Sequence, residues 1–315
     1  MNAIPTCLAA ALAGLLGLSA LCACGEKKST PAESPVQATP APEPRDEMGR
    51  TPLMLAIRDG QSLEQLHKLL ESGADVNAKS TRDWTPLMYA VQRGSADIAQ
   101  ALLDKGAAIN ERGAGGSTPL MLAAALHRTD VCRLLLEAGA DTTLRAFDGG
   151  TALTHAARKA EKALESEYLG IINLLIQAKA DVNKPDFNGW TPLMLSARHN
   201  TLQIAEILLQ AGADANLRDT NGMTALLFAA GNRHGDFCKL LLRSGANADI
   251  GDKGGLTPLM LSAHTGFADI CQILIEGGAD PDIQNTAGGT ARDLAATPEV
   301  QALLENAQNK TPGAK

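Results

Sequence analysis

The 315-residue sequence predicts an all-helical repeat solenoid, and three observations carry that expectation. Ala and Leu supply 98 of the 315 residues, both strong helix formers. Aromatic residues make up only 3% of the chain, too few for the aromatic and β-branched core of a sandwich or barrel. One short unit then recurs along most of the sequence, the signature of stacked architectures. Hydrophobic content of 45% with 20% charged residues is that of a folded chain, and a net charge of −7 argues against binding nucleic acid through a global positive field.

Residues 1–23 read as a signal peptide. They hold no charged side chain, and Leu8–Leu21 is an apolar run too short for the roughly 20 residues of a comfortable membrane span. The run ends in Leu21-Cys22-Ala23-Cys24-Gly25, which resembles the bacterial lipobox. That resemblance implies cleavage after Ala23, a lipid on Cys24 and, from Gly25 in the sorting position, the periplasmic side of the outer membrane. Two departures leave ordinary signal cleavage open: Met1–Thr6 has no Lys or Arg, and Cys22 is an unusual lipobox residue. Residues 24–45, with Pro31, Pro35, Pro40, Pro42 and Pro44, have no apolar period and read as a semi-rigid tether.

Repeats occupy 46–307. Thr-Pro-Leu-Met opens at Thr51, Thr85, Thr118 (as Thr-Pro-Leu-Met again), Thr191 and Thr257, with related strings at Thr151, Thr224 and Thr290. The intervals are 34, 33, 33, 40, 33, 33 and 33 residues. In each unit Thr suits a helix N-cap and Pro the first helical residue, where its missing N–H costs nothing. A Leu pair such as Leu102-Leu103 marks a second helix, and Gly73, Gly106, Gly139, Gly212, Gly245 or Gly278 suits its left-handed end. A polar stretch with Asp, Asn and Gly then folds back as a hairpin. The longer fourth interval places about seven extra residues near Arg158–Tyr168, expected to lengthen that helical pair or wall a groove. The eighth unit reads as a truncated cap with a short second helix, and 308–315 as a polar tail.

This pattern is similar to the ankyrin repeat, in about eight copies. Met54, Met88, Met121, Met194 and Met260 stand where that family has His, so Met packing is expected in place of the His-based polar ladder. Lys179 stands where the helix-ending Gly belongs, a strained choice.

Cys132, Cys238 and Cys271 share one repeat position, fourteen residues after the Thr, where Ala99 and Ala205 also stand. The position wants a small apolar residue, so free, buried and slow-reacting thiols are expected. Stacked repeats lie ~10 Å apart, beyond the ~7 Å that a disulfide can bridge. The six His form no metal-binding or catalytic motif, no phosphate loop follows a strand, and no cofactor is implied.

The resemblance implies a concave face of hairpin tips and first helices that binds another protein. Just before each Thr, on the hairpin's inner side, stand Trp84, Trp190, Met223 and Leu256 among others, and Phe147 and Phe187 lie at hairpin tips. These are read as exposed interface anchors, with packing over the neighbouring hairpin as the alternative. The ends of the first helices carry Arg93, Arg158, Lys159 and Arg198, either complementing helix dipoles or flooring a groove for an acidic protein segment. The expected protein is a monomeric, non-enzymatic scaffold touching the membrane only through its lipid. Protection or inhibition of a periplasmic enzyme, an enzyme of unrecognised type, and a passive spacer remain the alternatives.

Overall fold

The computed structural model describes residues 43–160 and 165–310. The expected signal peptide, Cys24 and the expected tether before 43 lie outside them, as do residues 161–164 and 311–315. Glu43 already belongs to the repeat unit, its carboxylate accepting from Asp75 N at 3.0 Å.

The described residues form helices and turns, with no strand. First helices are α1 (Pro52–Asp59), α3 (Pro86–Arg93), α5 (Pro119–Ala125), α7 (Ala152–Lys159), α9 (Pro192–His199), α11 (Ala225–Gly231) and α13 (Pro258–Thr265). Second helices are α2 (Leu63–Glu71), α4 (Ala96–Asp104), α6 (Thr129–Glu137), α8 (Glu165–Gln177), α10 (Leu202–Gln210), α12 (Gly235–Arg243) and α14 (Ala268–Glu276), and α15 (Pro298–Lys310) closes the stack. Every first helix starts on a buried, extended Thr whose hydroxyl accepts the amide three residues on, Met88 N at Thr85 and Met194 N at Thr191 being two cases. Such a cap is worth ~1 kcal/mol. The five Pro in this position sit at the start of α1, α3, α5, α9 and α13.

Gly106, Gly139 and Gly212 follow their second helices at φ 85–89°, and a Cβ there would meet nothing within 4 Å. Backbone conformation alone therefore selects Gly, which explains how Lys179 fits without a clash at φ 60° while bearing the strain.

Leu, Ala and the five Met fill the core, and Cys132, Cys238 and Cys271 are fully buried and free. Burial pushes each thiol up to about 12. The inter-repeat polar ladder is supplied from elsewhere than the Met position. Asn77, Asn183 and Asn216 each accept an amide of the next repeat and donate to its Gly carbonyl, as in Asn183 with Asp214 N (2.8 Å) and Gly212 O (3.0 Å).

The insertion lengthens α8 to 13 residues, against 9 in the neighbouring second helices α6 and α10. It reaches both ways along the stack. Tyr168 is buried and its hydroxyl donates to Ala125 O at 3.1 Å, while Glu165 accepts Gln203 N (2.7 Å) and Ile204 N (3.2 Å). Glu165 thus caps α10, whose own Thr201 makes no side-chain cap.

The last repeat departs from expectation. Its first half is only a turn, with Thr290 hydrogen-bonded to Asp293 at 2.7 Å, and its second helix is long rather than short, at 13 residues. Thr297 caps that helix at Val300 N, and Val300 and Leu304 bury one face, so enough apolar surface remains to extend it.

Candidate partner-binding groove

The hairpins place the site. Each closes by a pair of backbone bonds, such as Ala146 N to Gly150 O with Gly149 N to Ala146 O (both 2.9 Å), and Asp186 N to Trp190 O with Gly189 N to Asp186 O (both 3.0 Å). Neighbouring tips are joined by Phe147 N to Gly115 O (2.8 Å), Phe187 N to Asp148 O (3.0 Å) and Thr220 N to Asn188 O (2.9 Å). Arginines strengthen this ladder. Arg145 donates to Gly149 O in its own hairpin and to Pro185 O in the next, both at 2.8 Å, and Arg45, Arg112 and Arg218 repeat the pattern. All four stand six residues before a repeat Thr, a periodic signal in the sequence that marks this ladder.

Phe147 and Phe187 sit on adjacent tips and are 72% and 63% exposed. Each ring also lies over a left-handed Gly of the preceding hairpin, Gly116 (φ 74°) and Gly149 (φ 82°), where a Cβ would come within 2.5–2.6 Å of the ring. Packing over the neighbour and exposure thus coexist. The Arg145 guanidinium lies 4.9 Å from the centre of the Phe187 ring.

Behind these tips, Arg158 at the end of α7 is gripped by two carboxylates. One guanidinium nitrogen contacts Asp148, and another meets Asp186 Oδ2 at 2.7 Å. The Asp186 side chain is only 4% exposed, and its other oxygen accepts Asn188 N and Trp190 N at 2.9 Å each. Burial pushes the Asp148 carboxyl up, but bonds from Arg158 and Gly150 N outweigh it and leave the group below its usual range. His155 stands 3.7 Å from Asp148, and burial holds its imidazole below its ordinary value.

Trp190 is half-buried rather than exposed. Its ring meets Phe228 of the next repeat at 4.9 Å, and the Arg198 guanidinium lies over it at 5.0 Å. Trp84 is also half-buried, edge-on to Tyr89 at 5.4 Å, and Met223 and Leu256 are half-buried in their own hairpins. The expectation of two projecting Trp is corrected by these packing partners, and the exposed aromatics are Phe147 and Phe187.

An open pocket of roughly 420 Å³ joins these parts, lined by Asp148, Arg158, Asp186, Asn188, Trp190, Leu195, Arg198 and His199. The structure brings Arg158, Trp190 and Arg198 together here, flanked by Phe187, and leaves Trp84 and Arg93 in the second repeat. The basic row also differs from expectation. Arg158 is spent on two aspartates and Arg58 on Asp59 at 2.6 Å, so among the described residues Arg93, Lys159 and Arg198 are the predicted cations with no acid beside them. No group of three or more His, Cys, Asp or Glu among the described residues is placed to hold a metal ion.

A stack of helical pairs with projecting hairpins and a shallow polar and aromatic groove defines a repeat-solenoid interaction module. A family profile described as "Ankyrin repeats (3 copies)" matches residues 53–146, 144–219, 161–253, 211–285 and 236–311. The chain belongs to the ankyrin-repeat family. Among solved structures it is similar to the human ASB11 ankyrin repeat domain, at 24% identity and a TM-score of 0.61, over 73% of this chain and 100% of that one. This likeness is one of fold. No curated protein matches the chain.

Proposed function

We propose that this protein is a non-enzymatic scaffold that binds another protein across the hairpin groove centred on repeats four and five. The observation that carries this reading is the pairing of two exposed phenylalanines with a pocket whose walls are already rigid. Exposed aromatics beside a preorganised pocket are the parts from which binding hot spots are built. The surplus cations Lys159 and Arg198 favour an acidic segment in a chain of net charge −7. Lipid on Cys24 would hold the scaffold at the bacterial cell envelope, on the periplasmic side of the outer membrane, with the Pro-rich segment as spacer. The repeat unit acts as a monomer in this reading.

A photo-crosslinking residue at Phe187 tests the groove, with one at the exposed second-helix residue Gln210 as control. A protein adduct from position 187 and none from 210 is expected; the reverse pattern removes the groove from consideration. For the tether, Cys24→Ser should abolish incorporation of labelled fatty acid and leave an uncleaved precursor. Normal processing of that variant overturns the lipoprotein reading.

A further inference from the structure

We infer that Arg198 is the residue that receives a partner carboxylate, and that the segment selected is an Asp or Glu beside a bulky apolar residue. This inference rests on the groove reading above and makes it chemically specific. Two arginines line the pocket, and their states differ. Arg158 already has Asp148 and Asp186, so both pocket carboxylates and one guanidinium are spent on each other. Arg198 lies over Trp190 and, among the described residues, has no ion-pair or hydrogen-bond partner.

A guanidinium over an aromatic face is held in place while its donor edge stays open to a planar acceptor. A carboxylate matches that edge with two parallel bonds, which an amide cannot do. The other cations without an acid beside them serve less well. Arg93 lies in the second repeat, and Lys159, exposed near Arg158, does not line the pocket. Lys159 adds long-range attraction for the same charge and repels a basic segment. Trp190 and Leu195 give the remaining wall an apolar part beside polar Asn188 and His199, and the pocket's ~420 Å³ has room for a bulky neighbouring side chain beside the acid. Phe147 and Phe187 flank the groove for the rest of the segment.

The test is an immobilised array of random twelve-residue peptides, probed with the labelled whole chain as wild type, Arg198→Gln, Arg93→Gln and the double variant Phe147→Ala/Phe187→Ala. Arg198 is exposed and forms no ion pair, so Arg198→Gln is expected to melt with the wild type. Wild type should select peptides with Asp or Glu next to Leu, Phe or Trp. Arg198→Gln should weaken these at least tenfold and erase the preference for Glu over Gln, while Arg93→Gln leaves both intact. An acid preference that survives Arg198→Gln, or a wild-type set without acids, overturns the assignment. Loss of binding in the Phe double variant alone keeps the groove and discards the carboxylate site. Binding that none of the variants changes, or no binding at all, discards both.

Discussion

The first two repeats and the fourth and fifth hold the same large residues in the same registers and build different things. Trp84 and Trp190 each precede a repeat Thr, and Arg58 and Arg158 each stand seven residues after one. Around Arg158 the two hairpins supply Asp148 and Asp186; the matching positions around Arg58 are Met48 and Ser80. Without those carboxylates Arg58 turns to its neighbour Asp59, and Ser80 accepts Trp84 N at 3.2 Å with no charge to offer. Arg198, over Trp190, has Gln92 as its counterpart, and the tip residues Phe147 and Phe187 have Glu47 and Thr81. The pair shows that a tryptophan in a fixed register becomes part of a site only when neighbouring repeats supply the charges that fix its surroundings.

The largest expected effect breaks that difference. Arg158→Ala leaves the buried Asp186 carboxylate without its cation and should cost about 2 kcal/mol, since a stranded buried charge loses more than the pair contributed. Arg58→Ala, on an exposed pair, should stay within ~0.5 kcal/mol. Urea midpoints at constant m-value read both. Equal losses would show that the aspartate grip adds nothing. Next comes Lys179→Gly, which should stabilise by roughly 1 kcal/mol by relieving a left-handed Lys in the fourth repeat, with Gly212→Ala losing a similar amount. A midpoint for Lys179→Gly at or below wild type would contradict the strain.

A smaller effect sharpens the comparison by transplanting the grip. Met48→Asp with Ser80→Asp should draw Arg58 off Asp59 and gain under ~1 kcal/mol. Coupling in a double-mutant cycle with Arg58→Ala measures it, and zero coupling would mean that backbone placement, not the acids, distinguishes the two regions. The smallest effect is a pH dependence. Unfolded His155 takes up a proton near pH 6.5, whereas burial lowers its folded pKa, so its contribution is complete above that pH and declines as pH falls below it. Asp148 acts in a separate window: its lowered carboxyl adds stability above the ordinary carboxylate pKa, which acid below about pH 4 removes. A His155→Gln variant should flatten the stability profile between pH 7 and 5 and keep most of the acid limb, because the Arg158 and Gly150 N bonds to Asp148 outrank the charge of His155 in lowering that carboxyl.

Most of the fold was legible because each element is announced locally. Thr at the start of every first helix, followed by Pro in five of them, and Gly after most second helices mark the elements, and one shared register placed all three thiols in the core. The site was less legible because it depends on which side chains meet across repeats. Phe147 and Phe187 could be found as tip residues, but the half-burial of Trp190 needed Phe228 from the following repeat. The charge of Arg158 looked available only while Asp148 and Asp186 were read as turn residues. Those aspartates serve twice, capping hairpin amides and holding the arginine, and only the first role is visible along the chain. Likewise the long α15 follows from apolar surface left open by α14, which the shortened last repeat did not display.

In the proposed function the groove at Trp190, and not its twin at Trp84, binds the partner. A labelled acidic-apolar peptide, titrated against Trp190→Ala and Trp84→Ala in parallel, tests it most directly. Trp190→Ala is expected to weaken binding by at least about 2 kcal/mol, roughly thirtyfold, mainly through faster dissociation. Trp84→Ala should bind as the wild type does. Equal losses from the two variants, or a loss confined to Trp84→Ala, would mean that the groove at Trp190 is not the binding site.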